Sequence, residues 1–489
     1  MNRRAVFCCL LCLAAAGCVE PIPPVPQNVA DYEQLQTTHP GAYPRRTVLL
    51  NNLTRALDAD MPGEERTASL ELVAYLGPTD AETLKEISGI LGEKDAPPAL
   101  RRQALEMLLE ADVPGVAAHV AEVLPFLEGE AELRDAALAW LARHPQESSL
   151  AKVVRLWARQ PNVAEAEHKR YEELVARMAA KPWPQALLDG INAPDFLARG
   201  SALEVLNRRM QNSQLREMIS RTRPRTDAMA ALRVFLDSLG YLPADGGEFF
   251  STVLIHKTRQ EMIVDAARLS DRWAAQYGYK FNIRDFHLLS RLARDPLRKQ
   301  LRRGELILRV GKALVGRGKV PAPPPTAPPR PEDRFSLQVE KLKMPDLWNL
   351  YLLNVMLSDE RMQMALSVMA DGDRQDRRRA WGGLVSYASG HAEAKLYEAS
   401  LEAGANDLIH VPTSQLVRHG RDSLCRFWGH FDKVRNARRA GPAPEELRMA
   451  KEDNYYGLIL TSLGADEFCA HYYNCDGVVV SLGKFPFRK

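Results

Sequence analysis

The chain lacks the sequence marks by which most enzymes are recognised. Its 489 residues hold no Walker loop, no dinucleotide-binding glycine motif and no nucleophile elbow. Nothing in it therefore points to nucleotide, hydride-transfer or α/β-hydrolase chemistry. An excess of either charge is missing too: 65 basic residues face 62 acidic ones, a balance that does not predict nucleic-acid binding. Cysteine is scarce, with seven in all, and four of these fall in the first 18 residues. The apolar run at residues 5–17 is thirteen long, too short to span a bilayer comfortably.

What is present begins with MNRRAVFCCLLCLAAAGC. Arg3 and Arg4 precede the apolar run, and small residues lead into Cys18. This resembles the lipobox of bacterial lipoproteins, with Ala15 in place of the usual leucine. The resemblance implies a signal peptide at 1–17, removal of that peptide and acylation of Cys18. Two or three acyl chains anchor stably, whereas one does not. Val19 stands where an aspartate would mark inner-membrane retention, so the expected address is the cell envelope, with the protein facing the periplasm from the outer membrane. Of the remaining cysteines, Cys469 and Cys475 are expected on one extended strand, about 20 Å apart, too far for a disulfide.

Residues 18–47 contain VEPIPPVPQNV and read as an extended tether. From 48 to 222 apolar residues recur at helical spacing, punctuated by Pro and Gly. Leu70, Leu105, Leu138 and Leu203 fall at separations of 35, 33 and 65, close to one, one and two units of a repeat. RTASLELVAYL, RRQALEMLLEA, LRDAALAWLAR and LARGSALEVLNRR resemble HEAT repeats, which implies an α-solenoid and a long surface for protein partners. A further helical region is expected at 223–319. Its end, residues 291–319, carries 10 basic and 2 acidic side chains and reads as an amphipathic helix for anionic lipid or for the acidic stretch at 57–135. Residues 320–333 hold PAPPPTAPPRP, a polyproline II spacer and the expected domain boundary.

The last part, 334–489, is expected to be a small α/β domain. Helices are expected at 336–378, then strands in WGGLVSY, AKLYEAS, SLCRFWGHF, YGLILTSL, EFCAHYY and GVVVSLG, with the helix PEELRMAKED between the third and fourth. A Gly-Gly strand, a strand ending in His430, the Gly441-Pro442 turn, an acidic helix start and a closing hairpin together resemble the JAB/MPN (JAMM-type) domain of zinc isopeptidases. That family uses a glutamate base, two histidines on one strand face, a serine and an aspartate ligand on the next helix. Carried over by position, the base falls at Ala380, the first histidine at Trp428, the second at His430, the serine at Ala443 and the aspartate at Glu446. The resemblance therefore implies a degenerate site: no catalytic residue, no cofactor, and His430 with Glu446 as remnants of a metal centre. The whole reads as a membrane-anchored scaffold with a pseudoenzyme domain. The alternative is a zinc-dependent peptidase or isopeptidase with a site rebuilt around His430 and Glu446, helped by Asp432, His419 or His410.

Overall fold

The structure is a computed structural model that describes residues 23–77, 80–93, 95–111, 113, 115–127, 130–296, 298–320, 332–375, 381–388, 390–397 and 423–488. Cys18, Ala380, His410, His419 and the proline run at 321–331 lie outside the described residues. The chain forms two compact units, 1–211 and 212–489.

The first unit contains helices α1 (Val29–Thr38), α2 (Arg45–Leu57), α3 (Gly63–Leu76), α4 (Ala81–Ile90), α5 (Pro98–Glu110), α6 (Val116–Val123), α7 (Ala131–Arg143), α8 (Glu147–Arg159), α9 (Glu165–Ala179), α10 (Trp183–Ile191) and α11 (Arg199–Arg209). Their boundaries follow local chemistry. Pro98 opens α5 at a position whose N–H has no helical partner, and Gly77 closes α3 at φ 70. Each helix buries one stripe, such as Leu100, Ala104, Leu105 and Leu108 on α5. Each helix from α1 to α7 packs on the next but one in sequence, and most helices of the unit also pack on their immediate successor. The expected tether is not extended throughout: α1 occupies 29–38, capped by Asn28, and buries Leu35 while Val25, Val29 and Tyr32 pack near Val48 and Leu72. Apolar residues spaced along an otherwise polar stretch give it something to dock.

The second unit opens with α12 (Asn212–Arg221), α13 (Asp227–Leu239), α14 (Gly246–Tyr277, kinked at Arg259), α15 (Phe286–Leu292) and α16 (Arg303–Val315). After the proline run come α17 (Phe335–Gln338), α18 (Met344–Ser358) and α19 (Glu360–Gln375). Six strands follow: β1 (Trp381–Ala388), β2 (His391–Tyr397), β3 (Cys425–His430), β4 (Gly457–Ser462), β5 (Glu467–Tyr473) and β6 (Val479–Pro486), with α20 (Pro444–Glu452) between β3 and β4. The sheet order is β2-β1-β3-β4-β5-β6; the β3–β4 pair is parallel and the others antiparallel. The β3–α20–β4 crossover supplies the parallel pair, as such connections must.

The proline run does not divide two cores. Phe235, Trp273, Phe286 and Leu306 from before it share one apolar cluster with Trp348, Phe427, Leu458 and Phe485 from after it. The sheet face built by Phe427, Leu458 and Tyr472 needs more cover than α18 and α19 provide, and the preceding helices contribute to it. Nor is the basic run one helix: α15 stops at Leu292 and α16 starts at Arg303, with Pro296 between them.

Candidate functional site

Strand β3 alternates its faces. Phe427 joins the large cluster, whereas Trp428 joins a smaller one with Leu384, Ala450, Tyr455, Ile459 and Tyr473. This second face lies under α20. Arg426, Trp428 and His430 share it by their spacing of two.

The turn before α20 brings a carboxylate to that face. Glu446 Oε2 accepts from the backbone N of Ala443 at 2.7 Å, the return half of a capping box. Its Oε1 lies 3.6 Å from His430 Nε2, with the Glu446 side chain almost wholly buried. The other ring nitrogen, Nδ1, is 3.0 Å from the Arg439 carbonyl. Nδ1 can donate to that carbonyl, whereas Nε2 faces the carboxylate beyond hydrogen-bond reach, and Glu446 Oε1 has no hydrogen-bond partner among the described residues. Burial by itself would lower the His430 pKa; the Glu446 carboxylate, then the Arg439 carbonyl, outweigh it and hold the pKa above its ordinary value. His430 and Glu446 form an ion pair when the ring is protonated, and the raised pKa widens the pH range over which it is.

The neighbouring acids are engaged elsewhere. Asp432 Oδ1 accepts from Asn436 at 2.7 Å and faces Arg439 at 3.6 Å. Asp373, on α19, accepts from the Phe431 backbone N at 2.9 Å. Burial pushes the Asp373 carboxyl up to about 7, with the Asp432 charge adding to it against the Phe431 bond. Zinc in a catalytic site needs three protein donors and an open fourth position. The residues present do not fit it. Trp428, 1% exposed, stands at the first histidine position with its ring 6.0 Å from that of Tyr455, and Ala443 offers no hydroxyl. Among the described residues no three His, Cys, Asp or Glu side chains converge.

A guanidinium shares the face. Arg426 is fully buried, lies 4.1 Å over the Tyr455 ring and bonds Asp453 at 3.0 Å through Nη1.

Sequence reasoning missed an extended buried polar network of the second unit. Tyr456 and Tyr279 donate to the two oxygens of Asp285 at 2.5 and 2.7 Å, and Tyr472 and Asn474 donate to Asp346 at 2.7 and 2.8 Å. Arg284 stacks 4.6 Å over Tyr456 and donates to Asn454 at 2.9 Å and to the Cys475 thiol. Asn454, at φ 51, in turn donates to Glu248 at 2.7 Å. These bonds tie α14 and the α15 entry to the sheet. In sequence the same residues read as turns and strand aromatics, so no local signal separates them. Burial raises the thiols of both Cys425 and Cys475, the latter despite Arg284, which leaves neither as a ready nucleophile. None of Cys425, Cys469 and Cys475 is in a disulfide. Cys475 lies beyond the end of β5, in the turn, and not on the strand as expected.

Comparison with protein-family models, curated proteins and solved structures finds no match to this chain. The class that the fold defines is therefore a coarse one: a helical unit followed by a helix-covered, six-stranded mixed α/β sheet.

Proposed function

We propose that the protein is a lipid-anchored lipoprotein of the cell envelope that serves as a protein-interaction scaffold. In this reading the helical unit is a HEAT-like solenoid and the second unit contains a JAB/MPN-type domain that has lost its chemistry. One observation carries the reading of the second unit: beside His430 and Glu446 the expected first-histidine and serine positions hold the buried Trp428 and Ala443, so two donors stand where zinc needs three. A zinc ligand must be a neutral imidazole with a nitrogen lone pair free. The packing of helices on their next-but-one neighbours, with a leucine recurring at about 33–35 residues, supports the solenoid. Such arrays present long surfaces and no enclosed chemical site. The lipobox-like start supports the anchor.

Zinc titration of the full chain by calorimetry tests the inert site. The expected result is no stoichiometric uptake at micromolar zinc. Tight one-to-one binding that disappears in His430→Ala would instead establish the metallopeptidase reading. The anchor is tested apart, by mass spectrometry of the mature N-terminus. A diacylated Cys18 is expected, and an unmodified cysteine would refute it.

A further inference from the structure

The basic run at 291–319 changes meaning once its side chains are placed. Arg294 bonds Asp265 at 2.8 Å, and Arg298 bonds Tyr387 at 2.8 Å. Arg303 donates to the Val339 carbonyl at 2.9 Å. Arg317 lies 3.9 Å over the Phe485 ring. These cations serve the fold. Arg302, Arg309, Lys312 and Lys319 remain exposed and Lys299 is half-buried; Arg309 lies 6.0 Å over the Tyr351 ring, and the rest have no ion pair to a described residue.

The exposed side of α16 is not uniformly polar. Leu306 and Val310 are buried, and the opposite side carries Leu308 at 64% exposure and Val315 at 87%. Positions 308, 312 and 315 lie on one helical line, so Lys312 sits between the two aliphatics. Phe335 extends the apolar ground: its ring is close enough that a Cβ on Gly311 would lie 3.7 Å from it. Leu337, on the same short helix as Phe335, is 52% exposed. Glu305, Glu332, Asp333 and Glu340 are the acids nearest in sequence to these residues; Arg334 pairs with Glu332 at 2.9 Å and Asp333 faces His471 Nε2 at 3.2 Å.

We infer that this face of α16 lies on an anionic membrane surface, with Leu308 and Val315 entering the headgroup boundary and the free cations holding acidic lipid. Exposed aliphatics beside Lys and Arg that have no acidic partner are what an interfacial helix presents. An acidic protein would satisfy the cations but would leave no reason for two large aliphatics to face water. The contact is a second one beside the anchor at Cys18, and either can fail alone.

Vesicle flotation of the full chain carrying Cys18→Ser separates the two, since no acyl chain can then contribute. The expected result is capture by phosphatidylcholine vesicles containing about a third phosphatidylglycerol, loss of capture in moderate salt, and none by phosphatidylcholine alone. At about fivefold per charge, Arg309→Ala with Lys312→Ala lowers partitioning about thirtyfold. Leu308→Ser with Val315→Ser, both at exposed positions, lowers it without lowering the melting temperature. Equal capture by neutral vesicles, no capture by anionic ones at low salt, or indifference to either double variant overturns the inference. So does binding of polyglutamate in preference to anionic vesicles.

Discussion

Glu446 uses its two oxygens for different ends. One closes the N-terminus of α20 and the other faces His430. Glu446→Gln keeps an acceptor for the Ala443 amide but removes the charge, so it isolates the ion pair. At 3.6 Å the pair is a charge contact and not a hydrogen bond, so the variant should lose on the order of 1 kcal/mol at pH 6. The sign with pH follows from the raised pKa of His430: the stabilisation is full below the unfolded value and is lost as pH rises through the folded one. Urea denaturation should therefore show a wide gap between parent and variant at pH 6 that narrows by pH 9; a constant gap would contradict the pair. Asp373 gives a second test. Its folded pKa of about 7 lies above its ordinary value, so stability falls as pH rises from the unfolded value through 7. Asp373→Asn can still accept from Phe431 and has no charge to bury. Its melting temperature should exceed the parent's at pH 8, with the difference vanishing near pH 4. A variant less stable at pH 8 would refute this.

Among elements, the strands were the most legible. They read as short runs of β-forming residues; β2 alternates, whereas β3, β4 and β5 are buried on both faces, and the β5–β6 turn forms at Gly477, φ 77, as Asp-Gly suggests. The shared face of Trp428 and His430 was readable from their spacing of two. The Arg439 carbonyl was not, because a backbone acceptor leaves no mark in the sequence. Asp373 was hidden by distance: 58 residues separate it from Phe431. Helix α1 was masked by the prolines before it, although Asn28 was a legible cap. The break between α15 and α16 was announced by Asp295-Pro296 and overridden by the charge pattern. Gly457 shows a contact that sequence could not reveal. A Cβ there would lie 2.1 Å from Cζ of Tyr473, whose ring crosses the strand start. Gly457→Ala should therefore shift β4 or expel the ring, at a cost of about 1–3 kcal/mol. Thermal melting checks it, and an unchanged transition would mean the ring can move freely.

For the whole molecule, the units set what the proline run can do. Residues on both sides of it share one core within 212–489, so it is not a tether between independent bodies. Proteolytic cleavage inside 321–331 should leave the two fragments associated through gel filtration in native buffer. Separation of the fragments would restore the spacer reading. In place of two domains joined by a spacer, the second unit is one compact body that shows α16 on its surface and holds His430 buried within. The central claim is that this site holds a proton between His430 and Glu446, not a metal ion. An NMR titration of the His430 ring, assigned by His430→Gln, tests it most directly. The account predicts a pKa above the ordinary histidine value and a resonance that equimolar zinc leaves in place. A pKa below that value, with the resonance moving stoichiometrically on zinc addition, would contradict it.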